Sequence, residues 1–281
     1  MPRVVIVGCG FLGETAADLF FGSGWDVLGL CASEKSASRR AAKPYEVRAL
    51  DVTRAFSLPA PWRAVDALIY CAGPDRAIPD SYRRVYVDGL INALAATEPR
   101  LLIFTGSTSV YAQVDGTWVN ETSEAKPDRE TGRILLEAER IALGLGGFVA
   151  RLSGLYGPGR SVLMRRFLSG EAIIEGDGMR WINQIHRDDA ARAILHLLTK
   201  SVTRGIYNVS DSTPATQSEV YAWLADYFHR PLPRTGEPDF DRKRGWTSKR
   251  VSNSKLLQSG WRPGFPAFRD AIASLWAAGG I

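Results

Sequence analysis

Short, unbroken apolar runs alternate with amphipathic stretches through the first half of this chain. The runs at 4–7, 26–30, 66–70, 101–104 and 147–152 are rich in Val, Ile, Leu and Phe, and turn residues bound them. Apolar runs this short, without polar alternation, predict strands buried on both faces, as in a parallel sheet. Between them, 82–97 and 130–145 predict helices. In the second, Ile134, Leu135, Ala138, Ile141, Ala142 and Leu145 recur at helical spacing and define one apolar face. Strand and helix in alternation predict an α/β fold, a doubly wound parallel sheet that takes ligands at the carboxyl ends of its strands.

After about residue 155 the pattern changes. Gly and Pro punctuate the chain, and helical stretches (161–169, 188–200, 216–228, 265–277) outnumber clear strands. This divides the chain into a sheet domain, 1–155, and a smaller, mostly helical substrate lobe, 156–281, with segments returning to the first core. The stretch 229–248, rich in Pro, Gly and charge, reads as a mobile loop.

The first apolar run ends on Gly8-Cys9-Gly10-Phe11-Leu12-Gly13 and passes directly into a helix-compatible segment. Strand, tight glycine turn and helix form the context in which G-x-G-x-x-G signals a dinucleotide site. Gly8 permits the turn, Gly10 lets a pyrophosphate reach the main chain, and Gly13 lets helix and strand pack closely. The helix-start amides, Phe11 and Leu12 among them, then meet the anion with the positive end of the helix dipole.

Composition narrows the class without changing this picture. With 281 residues, 45% hydrophobic and 23% charged, the chain has the make-up of a globular protein. The net charge of +5 is spread over scattered Lys and Arg, so no nucleic-acid partner is expected. No apolar run is long enough to span a bilayer. The glycine turn begins where the apolar region of a signal peptide would have to continue, so none is expected. The three cysteines, Cys9, Cys31 and Cys71, lack metal-ligand spacing and sit at predicted strand ends. Reduced thiols in a cytoplasmic protein, with no metal site, are the expectation.

Further segments, taken in order, resemble the extended short-chain dehydrogenase/reductase family, the nucleotide-sugar epimerases and dehydratases. Leu50-Asp51-Val52 matches the acidic motif whose carboxylate holds the adenine ring in that family, and Cys71-Ala72-Gly73 the turn beside the cofactor ribose. Val87-Asp88-Gly89-Leu90-Ile91-Asn92 looks like its V-x-G-x-x-N helix, and Ser107-Thr108-Ser109-Val110-Tyr111 like its S-x-x-V-Y strand end. Arg151 to Gly159 is similar to R-x-x-x-x-Y-G-P-G, and Ile185 to Ala190 to the helix start that enters the lobe. The resemblance runs from Val4 to about Trp276. It implies NAD(P), a small-molecule substrate, and a homodimer formed through helices 82–97 and 130–145.

Where the chain departs from the family, its chemistry is affected. A Tyr, and a Lys four residues later, move the proton during hydride transfer in those relatives; the same alignment places Thr131 and Leu135 there. Threonine is a poor proton donor near neutral pH, and leucine can neither bind a ribose nor tune a pKa. Gly154 and Ile182 replace the Asn and Arg that commonly serve the nucleotide sugar, although Arg180 is close by. Ser107 survives as a hydrogen-bonding group for a substrate oxygen. Tyr111 and Tyr156 are substitute proton donors, weighed against plain aromatic packing. The second strand ends on Cys31 rather than a carboxylate, with Ser33, Lys35, Arg39 and Arg40 following, which favours NADP over NAD. Two functions remain open: an NAD(P)-dependent, epimerase-like oxidoreductase with a rebuilt proton relay, or a non-catalytic NAD(P)-binding sensor or scaffold.

Overall fold

A computed structural model describes residues 1–74, 81–241 and 246–277. They fall into two compact units whose segments interleave. The first comprises Met1–Ser107, Glu130–Arg151 and Ala190–Tyr207; the second comprises Thr108–Arg129, Leu152–Asp189 and Asn208–Ile281. The stretch after the fifth strand leaves the first unit early, and 190–207 returns to it.

The fold is a Rossmann-like α/β fold built on a seven-stranded sheet. Its first five strands are β1 (Arg3–Val7), β2 (Asp26–Cys31), β3 (Glu46–Ala49), β4 (Ala67–Tyr70) and β5 (Leu101–Ser107). With β7 (Phe148–Leu152) and β12 (Ile206–Val209) the order is β12-β7-β5-β4-β1-β2-β3. The pairs β1–β2, β1–β4, β2–β3 and β4–β5 run parallel. Val4, Val5, Ile6 and Val7 are fully buried, as a strand covered on both faces requires. Helix α1 (Gly13–Gly22) follows β1, and the short α2 (Glu34–Ser38) follows β2.

The helix expected over 82–97 has three parts: α3 (Ser81–Arg83), a π-helical turn (Arg84–Asp88) and α4 (Gly89–Thr97). The Tyr70 hydroxyl donates to the Val85 carbonyl at this point, and a side chain entering the helical ladder widens it. Helix α5 (Glu130–Gly144) buries Ile134, Leu135, Ala138 and Ala142. Leu145 falls beyond its end and is exposed.

In the second unit the strands are short and paired: β6 (Trp118–Val119) with β15 (Arg250–Val251), β8 (Gly154–Tyr156) with β11 (Gln184–His186), β9 (Ile173–Glu175) with β14 (Arg234–Gly236), and β10 (Trp181–Ile182) with β13 (Ala215–Thr216). Strand β14 lies inside 229–248, so that stretch is not wholly loop. Its core joins Tyr156, Met164, Phe167, Leu224, Phe268 and Ile272. These come from β8 and from α6 (Val162–Leu168), α8 (Gln217–Tyr227) and α10 (Phe268–Ala277). Helix α7 (Arg187–Thr199) leads back to the sheet, and α9 (Ser254–Gln258) follows β15. No helix among the described residues is long and apolar enough to cross a membrane.

Candidate functional site

The glycine turn is built by close backbone approach. Gly8 has φ +91°, and a Cβ there would lie 2.4 Å from the Ala72 amide nitrogen. So Gly8 is required twice, for its conformation and for contact with the turn after β4. A Cβ on Gly13 would lie 2.3 Å from the Gly8 carbonyl oxygen, so only glycine lets α1 start this close to β1. Gly10 differs: its nearest obstacle is the Gly8 carbonyl oxygen at 3.9 Å, and the space over it is open. Gly73, on the neighbouring strand end, is open as well. Leu12, at the N-cap position of α1, supplies no side-chain cap. An uncapped helix start beside open backbone fits a pyrophosphate, whose charge meets amides and dipole together.

The other predicted cofactor residues also lie in the first unit. Asp51, whose side chain is half exposed, accepts from the Thr53 amide (3.0 Å) and hydroxyl (2.7 Å). Those hydrogen bonds hold its carboxyl below the usual range, so it is ionised at neutral pH. The Val52 carbonyl accepts from Asn92 Nδ2 at 2.9 Å, which ties α4 to this loop. On the same helix a Cβ at Gly89 would strike the Tyr70 hydroxyl at 2.4 Å. Cys71 donates its thiol hydrogen to the Gly8 carbonyl at 3.4 Å. Burial pushes the Cys9 thiol up to about 12 and raises Cys31 and Cys71 too, so all three stay protonated.

After β2, Ser33 caps α2 by accepting from the Ser36 amide, and Arg39 is exposed. Arg40 is the positioned guanidinium. Its Nη2 lies 2.7 Å from Glu14 of α1, and its Nη1 donates to the Ser36 carbonyl at 2.8 Å. The sequence offers Ser33, Lys35, Arg39 and Arg40 alike at this end, and the contact that fixes Arg40, with Glu14 of α1, is not visible in it.

Ser107 ends β5, nearly buried. Behind it, Gly106 leaves no room for a Cβ because Glu139 Oε1 would lie 2.8 Å away. Glu139 and Arg151 form an ion pair, buried on both sides, with contacts of 2.7 and 3.1 Å. Burial raises the Glu139 carboxyl while Arg151 lowers it. On α5, Thr131 is half-buried and Leu135 is 1% exposed.

In the second unit, Tyr111 is fully buried and its hydroxyl donates to Asn208 Oδ1 at 2.9 Å. Tyr156 packs edge-on against His186 and Phe268. The Asp188 amide donates to His186 Nδ1 at 3.2 Å. Asp189 lies in the first turn of α7. Its carboxylate takes the amides of Gly264 (2.6 Å) and Phe265 (2.9 Å) and anchors that loop. Arg180 lies 3.1 Å from Glu175. A pocket of about 400 Å³ is lined by Ser109, Asp128, Arg129, Phe240, Trp246 and Thr247, a mixture of one apolar wall and several polar groups. No group of residues among those described could hold a metal ion.

The sequence model of the NAD dependent epimerase/dehydratase family matches residues 4–210. Protein YeeZ of Escherichia coli K12 is 34% identical over 235 residues, 80% of this chain and 83% of that protein. A solved structure from Methylobacillus flagellatus, provisionally assigned as an NAD-dependent epimerase/dehydratase, is 29% identical. It superposes with a TM-score of 0.79 over 99% of this chain and 98% of that one. The Bacillus cereus UDP-glucuronic acid 4-epimerase, solved with UDP-glucuronic acid and NAD, shares the fold at a TM-score of 0.78 with 16% identity, covering 98% of each chain.

Proposed function

Since this chain belongs to the NAD dependent epimerase/dehydratase family, we propose that it is an NAD(P)-dependent, epimerase-like oxidoreductase. Its substrate in this reading is a small molecule of the sugar or sugar-nucleotide class. The observation that carries the reading is the open backbone over Gly10 beside the uncapped start of α1. Gly8, Gly10 and Gly13 shape the turn, the amides near Phe11 and Leu12 take the pyrophosphate, and Asp51 and Val52 face the adenine. Cys71, Ala72 and Gly73 flank the ribose. When bound, the dinucleotide supplies a hydride acceptor or donor; Ser107 hydrogen-bonds a substrate oxygen. Thr131 and Leu135 leave the proton transfer to other groups. Tyr111 holds Asn208 with its hydroxyl, which makes it a poorer proton donor than its position suggested.

NADP is the preferred form in this reading. Strand β2 ends on Cys31 rather than on a carboxylate, and Ser33, Arg39 and Arg40 follow it, with Arg40 paired to Glu14. Titration calorimetry with NAD and NADP tests both levels. NADP binding more tightly supports the reading, and Arg40→Ala should then remove the difference. Tighter NAD binding overturns the preference alone; binding of neither overturns the function. A screen of UDP-glucose, UDP-glucuronic acid and simpler sugars, following nicotinamide absorbance, separates an enzyme from a non-catalytic binder.

A further inference from the structure

Lys249 is 4% exposed, immediately before β15 in the second unit. Its ammonium donates to the Thr247 hydroxyl at 2.8 Å, and among the described residues this is its side-chain partner. Buried lysines are ordinarily matched by a carboxylate. Here the charge that bears on it is Arg180, of the same sign. Glu175 is engaged elsewhere, 3.1 Å from Arg180 Nε and accepting from Trp246 Nε1 at 3.1 Å. Adjacent Arg250 donates to the Gly116 carbonyl and stacks between Trp118 and Trp181, while Asn183 donates to the Lys249 main-chain carbonyl and accepts from the Val251 amide. Burial first, and Arg180 second, push the Lys249 pKa down to about 7.

Thr247 connects this amine to the pocket, which it lines together with Ser109, Asp128, Arg129 and Trp246. A hydroxyl that accepts from an ammonium keeps its own proton to donate, and it donates more strongly for being polarised. Among the described residues no protein group takes that proton. We propose that Lys249 and Thr247 form a proton relay opening into this pocket, serving an oxygen atom of a bound small molecule. As an O–H bond forms on the ligand oxygen, the Thr247 O–H bond breaks, and a Lys249 N–H proton passes to Thr247. Lysine ends as the neutral amine and the ligand oxygen as a hydroxyl; the reverse transfer restores both. No electrons change hands. The relay supplies an acid–base group of the kind that Thr131 and Leu135 do not, and it rests on the reading above only for the identity of the molecule in the pocket.

The test needs no dinucleotide. With the lysine ε-carbons labelled with carbon-13, Lys249→Arg identifies the Lys249 resonance among the seven lysines. Its titration midpoint should lie near 7, against about 10.4 for ordinary lysines. Saturating phosphate, acetate or D-glucuronate, as oxyanion probes, should raise that midpoint by about half a unit or more, because a nearby anion favours the charged amine. Thr247→Val should abolish the response, and Thr247→Ser, which restores the hydroxyl, should recover it. A midpoint above 9, no response to any probe, or an equal response in Thr247→Val overturns the relay. Failure here leaves the dinucleotide site standing, and failure of dinucleotide binding leaves this result standing.

Discussion

Replacing Lys249 should change how the stability of the protein depends on pH, and the sign follows from its burial. An unfolded-state lysine titrates near 10.5, and this one is pushed down to about 7 in the fold. Between those values the unfolded chain holds more protons than the folded one, so stability rises with pH across that window. Below 7 both states are protonated and the penalty is present in full. From pH 7 to pH 8.5 the wild type should gain about 1.5 kcal/mol from this group, at about 1.36 kcal/mol per unit. Lys249→Met removes the term. The buried thiols act oppositely above about pH 8.5, because only the unfolded cysteines ionise there. Taking the difference between wild type and variant cancels them. The assay is urea unfolding at half-unit pH steps, with the m-value checked for constancy. Parallel stability profiles for the two proteins would sink the reasoning, since Lys249 would then titrate like an exposed lysine.

The glycines of the turn should separate fold from ligand. Gly10→Val should melt within about 2 °C of wild type yet lose about tenfold or more in NAD(P) affinity, whereas Gly8→Ala should lower the melting temperature because φ +91° and the Ala72 backbone both oppose it. Equal affinity in Gly10→Val would place the dinucleotide elsewhere. Glu139→Gln should cost about 3 kcal/mol or more by removing the carboxylate charge that faces Arg151 in this buried pair. In chemical denaturation the double change Glu139→Leu, Arg151→Met should recover part of that loss; an additive loss would contradict this account of the pair.

The apolar runs were enough to find β1, β2, β4, β5 and β7, because strands buried on both faces are predominantly apolar, with Thr105, Ser107 and Arg151 as polar exceptions near the strand ends. Strand β3 escaped notice since Glu46 and Arg48 interrupt it at the sheet edge, and β12 since Asn208 breaks its run. The two- and three-residue strands of the second unit exist only through their partners, which no local window contains. The same limit governs the sites. Gly8 reads as a turn glycine, but its contact with Ala72 depends on a strand some sixty residues away. Lys249 lies next to a stretch of Pro, Gly and charge and looks like a solvated surface residue. Its burial is a tertiary fact, and so is its value as an acid–base group.

Leu135 gives a further test of how far the relatives' chemistry extends to this chain. The resemblance expects a lysine there, facing a ribose; the structure has a leucine 1% exposed on the buried face of α5 with Ile134, Ala138 and Ala142. If that space is packed core, Leu135→Lys must bury an ammonium among apolar neighbours and lose their contacts. The expected cost is about 3 kcal/mol or more at neutral pH, shrinking as the pH rises toward the lysine's ordinary range and the amine sheds its charge. If instead a ribose-facing space has been kept, the lysine would be tolerated and would tighten NAD(P) binding. Urea unfolding and calorimetry on the one variant decide between these outcomes. An unchanged stability with higher affinity would show that a ribose-facing space has been kept at Leu135, leaving Thr131 as the remaining departure from the family's pair.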